Sequence, residues 1–186
     1  VKMRKHYDVV IIGGGIQGLS LAYYLARDAT MRVALFEKSY LGSGASGRNG
    51  EMIRSAFGSR QWIALWDKSL KLWEDLATEL DFNVMFTRHG YLILATNDNE
   101  FENLKQNWQT QQEFGLATEI LNADEILRLI PDINPDVVAG GLMQTNAGFA
   151  RHDAAIWAYA RAARRLNVDI FPFTEVTDIV VKSGRV

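Results

Sequence analysis

The chain has 186 residues, 22 acidic and 20 basic side chains, a net charge of −2 and 48% hydrophobic residues. That balance fits one globular domain, or one and a part, and excludes a basic nucleic-acid-binding tract. There is no cysteine, which excludes a disulfide framework, a thiolate metal site and a cysteine-linked prosthetic group within this chain. No apolar run approaches the ~20 residues of a membrane span. The opening VKMRKHYD lacks a signal peptide's apolar region, so the cytoplasm is the expected location.

Val9 to Ile12 form a short unbroken apolar run, which predicts a strand buried on both faces. Gly13, Gly15 and Gly18 follow at G-x-G-x-x-G spacing. Gly13 allows the tight turn off the strand, Gly15 admits a pyrophosphate close to the backbone, and Gly18 lets a helix pack closely on the strand. That helix is predicted to reach about Arg27 with Leu19, Ala22, Tyr23 and Ala26 facing inward, its N-terminal amides and dipole aimed at phosphate. Met31 to Phe36 predict a second buried strand ending in Glu37, about twenty residues past the last glycine. An acid there accepts ribose hydroxyls and disfavours a 2′-phosphate. A glycine fingerprint alone is weak, but between two strands and closed by an acid it reads as a dinucleotide site.

Residues 38–54, KSYLGSGASGRNGEMIR, are dense in Gly, Ser and Asn. By composition they form a surface loop, and by position they lie beside the dinucleotide. Ser43, Ser46 and Asn49 can supply hydrogen bonds, main-chain amides can face a diphosphate or a planar ring, and Arg48 and Arg54 are the loop's positive charges.

Ser59 to Leu80 are predicted helical, with Trp62, Leu65, Trp66, Leu72, Trp73, Leu76 and Leu80 as the packed stripe. Val84–Phe86 and Tyr91–Ala95 flank Thr87–Gly90 as a hairpin, with His89 a solvated turn residue. Asp98 or Asn99 is expected to cap a helix reaching Phe114, burying Phe101, Leu104 and Trp108 and stopping at Gly115. Glu119–Leu121 read as extended, Ala123–Ile130 as a short helix and Val137–Met143 as a strand. Gly140-Gly141 mark a bulge or a close approach to a ligand. Asp153 is expected to cap a helix over Ala154–Leu166, followed by strands at Val168–Phe171 and Glu175–Val181.

These motifs resemble the D-amino-acid oxidase group of FAD-dependent amine oxidoreductases, and within it the β subunits of heterotetrameric sarcosine oxidases. The resemblance rests on Gly13-Gly14-Gly15 with Gly18, Glu37-Lys38, and Gly47-Arg48-Asn49 leading to Ile53-Arg54. It continues through Lys71-Leu72-Trp73-Glu74, Asn83-Val84-Met85-Phe86 and Ala150-Arg151-His152-Asp153-Ala154. It implies an α/β fold: a Rossmann-like FAD-binding domain (1–82 and 150–186) with an inserted, mainly antiparallel α+β substrate domain (83–149), incomplete. Such subunits are about twice this length, so the sequence is expected to be an N-terminal portion or a truncated relative.

By the same resemblance, FAD contacts fall on Gly13, Gly15, Gln17, Gly18, Glu37, Lys38, Ser43, Ser46, Arg48, Asn49 and Val176, the last meeting the adenine through its backbone. Arg54 is assigned to the substrate carboxylate, against a structural role bonding loop carbonyls. His152 is assigned to an FMN, with or without a covalent bond, since related proline dehydrogenases hold FMN without one. Glu51 stands where monomeric sarcosine oxidases carry a basic residue, and an inward-pointing acid there would disfavour negative charge on a reduced flavin. The implied reaction is oxidation of a secondary amino acid such as sarcosine or proline, with hydride passing to flavin N5 and electrons then to a second flavin or oxygen. A larger α-type subunit and further subunits of a hetero-oligomer are the implied partners. The alternatives are a glycine or D-amino-acid oxidase or dehydrogenase of the same group, a non-catalytic flavin-binding subunit, and an NAD-dependent dehydrogenase.

Overall fold

The structure, a computed structural model, describes residues 3–28 and 31–182. In chain order its elements begin with β1 (Val9–Ile12), α1 (Ile16–Asp28), β2 (Val33–Phe36), β3 (Met52–Ile53) and α2 (Arg60–Leu80). There follow β4 (Thr87–Arg88), β5 (Tyr91–Ala95), α3 (Asp98–Glu113), β6 (Thr118–Asn122) and α4 (Ala123–Leu129). The last are β7 (Gly140–Gln144), β8 (Gly148–Phe149), α5 (His152–Arg165) and β9 (Asp169–Phe171). No helix among the described residues is long and apolar enough to cross a membrane.

The chain gathers into two compact units, one of 1–51, 77–84 and 151–186, the other of 52–76 and 85–150. These limits differ from the sequence-based 1–82 with 150–186 against 83–149, because residues 52–76, most of α2 among them, cluster with the second unit. Residues 1–2, 29–30 and 183–186 of the first range lie outside the described residues.

In the first unit, β1, β2 and β9 form a parallel sheet in the order β1-β2-β9, with Val9 opposite Val33 and Ala34 opposite Asp169. Leu19, Ala22 and Tyr23 of α1 are buried, and so is an alanine-rich face of α5 comprising Ala155, Ala158, Ala162 and Ala163. Small side chains let α1 and α5 approach closely, while Tyr23, Tyr24 and Tyr159 fill the remaining space edge to face, with centroids 5.0–6.2 Å apart. Leu19 and Leu35 are fully buried and each contributes about 2 kcal/mol of transfer free energy.

Two expectations for this unit are corrected. Two-sided burial belongs to β2 rather than β1: Val33, Ala34 and Leu35 are buried, whereas Val10 and Ile12 are 50% and 57% exposed. The reason is position, since β1 has a single neighbouring strand among the described residues. The strand expected at Glu175–Val181 does not form. After β9 the chain turns, Phe173 takes a φ of 55°, and Ile179, Val180 and Val181 are exposed.

The second unit is antiparallel, with sheets ordered β3-β8-β4 and β5-β7-β6. β4 pairs β8 and β5 pairs β7, so Thr87–Gly90 joins two sheets rather than closing a hairpin. His89 at that turn is exposed and stacks on Phe149 at 5.9 Å. The register from Tyr91 opposite Gln144 to Ala95 opposite Gly140 runs without a bulge. A side chain at Gly140 would begin 2.4 Å from the Phe101 ring and one at Gly141 2.8 Å from the Ile93 carbonyl, so this glycine pair serves α3 and strand packing rather than a ligand.

Helix α3 is capped by Asn97, whose side chain accepts from the Glu100 amide, one residue before the expected cap. Glu100 answers by accepting from the Thr96 amide and hydroxyl. On α2 the packed stripe agrees with expectation at Leu76 and Leu80 and departs from it earlier in the helix. Ile63, Leu70, Leu76 and Leu80 are buried, while Trp62, Leu65, Trp66 and Leu72 are exposed. Trp66 stacks on Phe57 at 5.8 Å and on Trp62 at 6.2 Å, which shields aromatic faces from water without burying them.

Candidate functional site

The glycine turn is held from three directions in the first unit. The Gly13 amide donates to the Phe36 carbonyl at 2.8 Å, and Gly13 adopts a φ of 112°, a conformation L side chains rarely tolerate. A Cβ on Gly18 would lie 2.0 Å from the Gly13 carbonyl oxygen, so the helix meets the turn with no room for a methyl group. At Gly15 an added Cβ would meet only Ser46, its Oγ at 3.0 Å, leaving the backbone otherwise open on that side.

Glu37 at the end of β2 is 9% exposed. Its Oε2 accepts from the Gly14 amide at 2.8 Å, and its Oε1 from the Ser39 amide at 2.8 Å and the Ser43 hydroxyl at 3.3 Å. Burial raises its pKa, but these three donors and nearby Lys38 outweigh it and hold the carboxyl below its ordinary range. A carboxylate offers roughly four acceptor positions. Glu37 therefore ties the turn to the following loop and keeps an acceptor position on Oε2, while the Ser43 hydroxyl can exchange partners.

The loop after β2 folds back on the turn. The Gly42 amide donates to the Gly14 carbonyl at 2.9 Å, and Gly42, at φ 81°, lies where a Cβ would begin 2.4 Å from Ile156 Cδ1. A short 3₁₀ turn at Ala45–Gly47 brings Ser46 Oγ to the Ile16 amide at 3.0 Å, satisfying one of the unpaired amides that begin α1. Asn49 is turned into the loop, donating to the Ser46 carbonyl at 2.6 Å and accepting from the Glu51 amide at 2.7 Å. Gln17, Lys38 and Arg48 are exposed. The Thr174 amide donates to the Glu37 carbonyl at 2.8 Å and the Phe173 amide to the Ser39 carbonyl at 3.0 Å, which brings the half-buried Val176 to within two residues of this strand end, though not on a strand.

The structure thus gathers Gly13, Gly15, Gly18, Glu37, Ser43 and Ser46 into one constellation. It occupies Asn49 in loop bonds. Sequence reasoning assigned no site role to Gly14, where a Cβ would meet Leu41 Cδ2 at 2.7 Å and Glu37 Cβ at 2.8 Å, or to Gly42. The run of three glycines signalled the first; nothing in the sequence points to Ile156 as the partner of the second.

His152 opens α5. Arg151 holds the N-cap position without a side-chain bond, and Asp153 lies inside the first turn, accepting from the Ala154 amide at 2.9 Å. The role expected of Asp153 falls to Glu51, whose Oε1 accepts from the His152 amide at 3.0 Å. That oxygen also lies 2.6 Å from His152 Nδ1, a close contact without hydrogen-bond alignment, and 3.5 Å from Arg151 Nε. Glu51, at φ 59°, is therefore turned toward the start of α5 and matched by the helix N-terminus and a guanidinium. His152 Nε2 makes no hydrogen bond among the described residues, and the side chain is 31% exposed.

Arg54 belongs to the second unit. Its Nη1 donates to the Ala56 carbonyl at 3.3 Å, and its guanidinium carbon sits 4.4 Å from the Phe57 ring centroid and 4.8 Å from that of Tyr91. The backbone that follows is pinned by Gln144, whose Oε1 accepts from the Ser55 and Ala56 amides, each at 2.9 Å. Phe57, Tyr91 and Gln144 were not singled out by sequence. Only the polar end of the apolar run in β7 marked Gln144 as unusual.

Comparison with known proteins matches residues 8–186 to the DAO family, described as FAD dependent oxidoreductase. The chain is 37% identical to a protein named sarcosine oxidase subunit beta from Rhodobacter capsulatus, over 98% of this chain and 45% of that one. It superposes on the L-proline dehydrogenase of P.horikoshii with a TM-score of 0.89 and 28% identity, covering 97% of this chain and 48% of that one. The glycine oxidase of Geobacillus kaustophilus gives 0.85 and 29%, over 94% and 48%. The chain spans about half the length of these relatives.

Proposed function

The chain belongs to the DAO family of FAD-dependent oxidoreductases, and on that premise we propose that it is the FAD-binding part of an enzyme oxidising a secondary amino acid of the sarcosine type. The observation that carries this reading is the clamped constellation of Gly13, Gly15, Gly18 and Glu37 in a chain whose family match covers residues 8–186. We assign FAD binding to the first unit and part of an inserted substrate domain to the second.

The residues present fit the dinucleotide. Gly15 leaves the backbone open before the N-terminus of α1, where amides and the helix dipole favour phosphate. Glu37 retains an acceptor position for a ribose hydroxyl, and its charge repels a 2′-phosphate. Lys38 and Arg48 add positive potential on the phosphate side. Val176 is the candidate adenine contact. When bound, the flavin supplies the electron sink for hydride from the carbon beside nitrogen, leaving an imine that water hydrolyses. Arg54 holds the substrate carboxylate in two-point contact and so fixes which carbon is presented.

We further propose that His152 lies beside an FMN, a reading supported by its half-buried ring and uncommitted Nε2. A larger partner subunit in a hetero-oligomer belongs to the same proposal; the subunit name of the Rhodobacter capsulatus relative supports further subunits. Anaerobic addition of sarcosine, proline or glycine to the intact purified protein tests the activity. Bleaching of a flavin absorbance band by sarcosine is the expected result. A flavin band that no amino acid bleaches would leave a non-catalytic flavin-binding subunit. Weighing the denatured chain tests the FMN bond, since a mass equal to bare polypeptide in FMN-containing protein excludes it.

A further inference from the structure

We propose that Tyr91 and Phe57, with Gln144 beneath them, are positioning residues that hold the Arg54 guanidinium ready for a carboxylate before any substrate arrives. The proposal deepens the assignment of Arg54 given above and rests on it. A guanidinium has five N–H donors. Among the described residues Arg54 uses one, to the Ala56 carbonyl at 3.3 Å, which leaves four. An arginine holding four uncommitted donors would ordinarily sample many rotamers, and a ligand would have to restrict them at the cost of affinity. Here the guanidinium lies over two rings, with centroids 4.4 Å and 4.8 Å from its central carbon. Aromatic faces attract the cation without consuming an N–H group. The clamp therefore fixes orientation and leaves the donors in the plane free for a bidentate partner.

Sheet register builds the clamp. Tyr91 stands directly opposite Gln144 in the β5–β7 pair, and opposed residues of an antiparallel pair share a face. Gln144 is fully buried and fully bonded. Its Oε1 accepts from the Ser55 and Ala56 amides, and its Nε2 donates to Ser55 Oγ and Asn146 Oδ1, all at 2.9 Å. It thereby fixes the two residues after Arg54, including the one whose carbonyl holds Nη1. Phe57 is fixed in turn, because its carbonyl accepts from the buried Gln111 at 3.1 Å. One face of a strand pair thus supplies one ring and the anchor for the backbone that carries the other ring.

The test uses the intact flavoprotein, with two readouts: KM and kcat for sarcosine, and the Kd of acetate from its perturbation of flavin absorbance. Tyr91→Leu is expected to raise both KM and the acetate Kd about tenfold, with kcat and flavin content close to wild type. Tyr91→Phe keeps the ring face and is expected to stay within about twofold in both. Phe57→Leu provides the same comparison from the other side and stands in if Tyr91→Leu does not fold. A purely structural role would lower thermal stability and leave the acetate Kd unmoved. If Arg54→Met weakens acetate and sarcosine binding while Tyr91→Leu and Phe57→Leu do not, the clamp is wrong and the Arg54 assignment stands. If Arg54→Met changes neither, the assignment fails and the clamp fails with it.

Discussion

The glycine turn of the first unit and the Arg54 clamp of the second, each proposed above to hold a charged ligand group, are built in opposite ways. The turn relies on backbone: amides of Gly14 and Ser39 gather on one buried carboxylate, and Gly18 admits a helix where a methyl group would collide. The clamp relies on side chains brought from three places, Arg54, Tyr91 and Gln144, by strand register. A backbone site is written locally in sequence as spacing. A side-chain site is written in the sheet, and spacing does not show it.

The largest effect expected from breaking the first is at Gly18. Gly18→Val places Cβ 2.0 Å from the Gly13 carbonyl oxygen and should cost about 3 kcal/mol through overpacking against backbone that cannot yield. Denaturant unfolding should show the lowered midpoint, with flavin lost in parallel; a stability equal to wild type would show that the turn has slack. In the second unit, Leu70→Ala should cost about 3 kcal/mol, because Leu70 is 1% exposed, whereas Leu72→Ala should fall within about 0.5 kcal/mol at 52% exposure. Equal costs at the two positions would restore the stripe expected from periodicity.

A smaller effect sharpens the comparison by pH. The Glu37 carboxyl is held below its ordinary value of 4.5, so its bonds stabilise the fold above that value and lose this contribution as pH falls through the folded pKa. Glu37→Gln should cost about 2 kcal/mol at neutral pH and flatten the acid limb of stability against pH. An unchanged acid limb would mean that Gly14, Ser39 and Ser43 do not depend on the charge.

Most of the first unit was legible. Its strand, glycine turn, helix, second strand and acid follow one another within Val9 to Glu37, so local pattern and tertiary neighbourhood coincide. The misreadings lie where they separate. The apolar run of β1 looks like that of β2, and only strand order decides which is covered on both sides. Trp62 and Trp66 match a helical stripe as well as Ile63 and Leu70 do, and packing partners select the latter pair. Thr87–Gly90 has hairpin chemistry, but β7 and β8 compete successfully for its flanking strands. Glu51 caps α5 from 101 residues away, a distance at which no capping motif can be read.

The central claim, that FAD lies across the Gly13–Gly18 turn with its ribose on Glu37, is tested most directly by the flavin-to-protein ratio of Gly15→Val. Gly15 is the glycine whose replacement meets only Ser46, so the chain should fold with an unchanged circular dichroism spectrum. Its side chain would then occupy the space before the helix N-terminus that the pyrophosphate requires. The expected result is folded protein that retains no FAD. Folded Gly15→Val carrying one FAD per chain, as tightly held as in wild type, would contradict the placement.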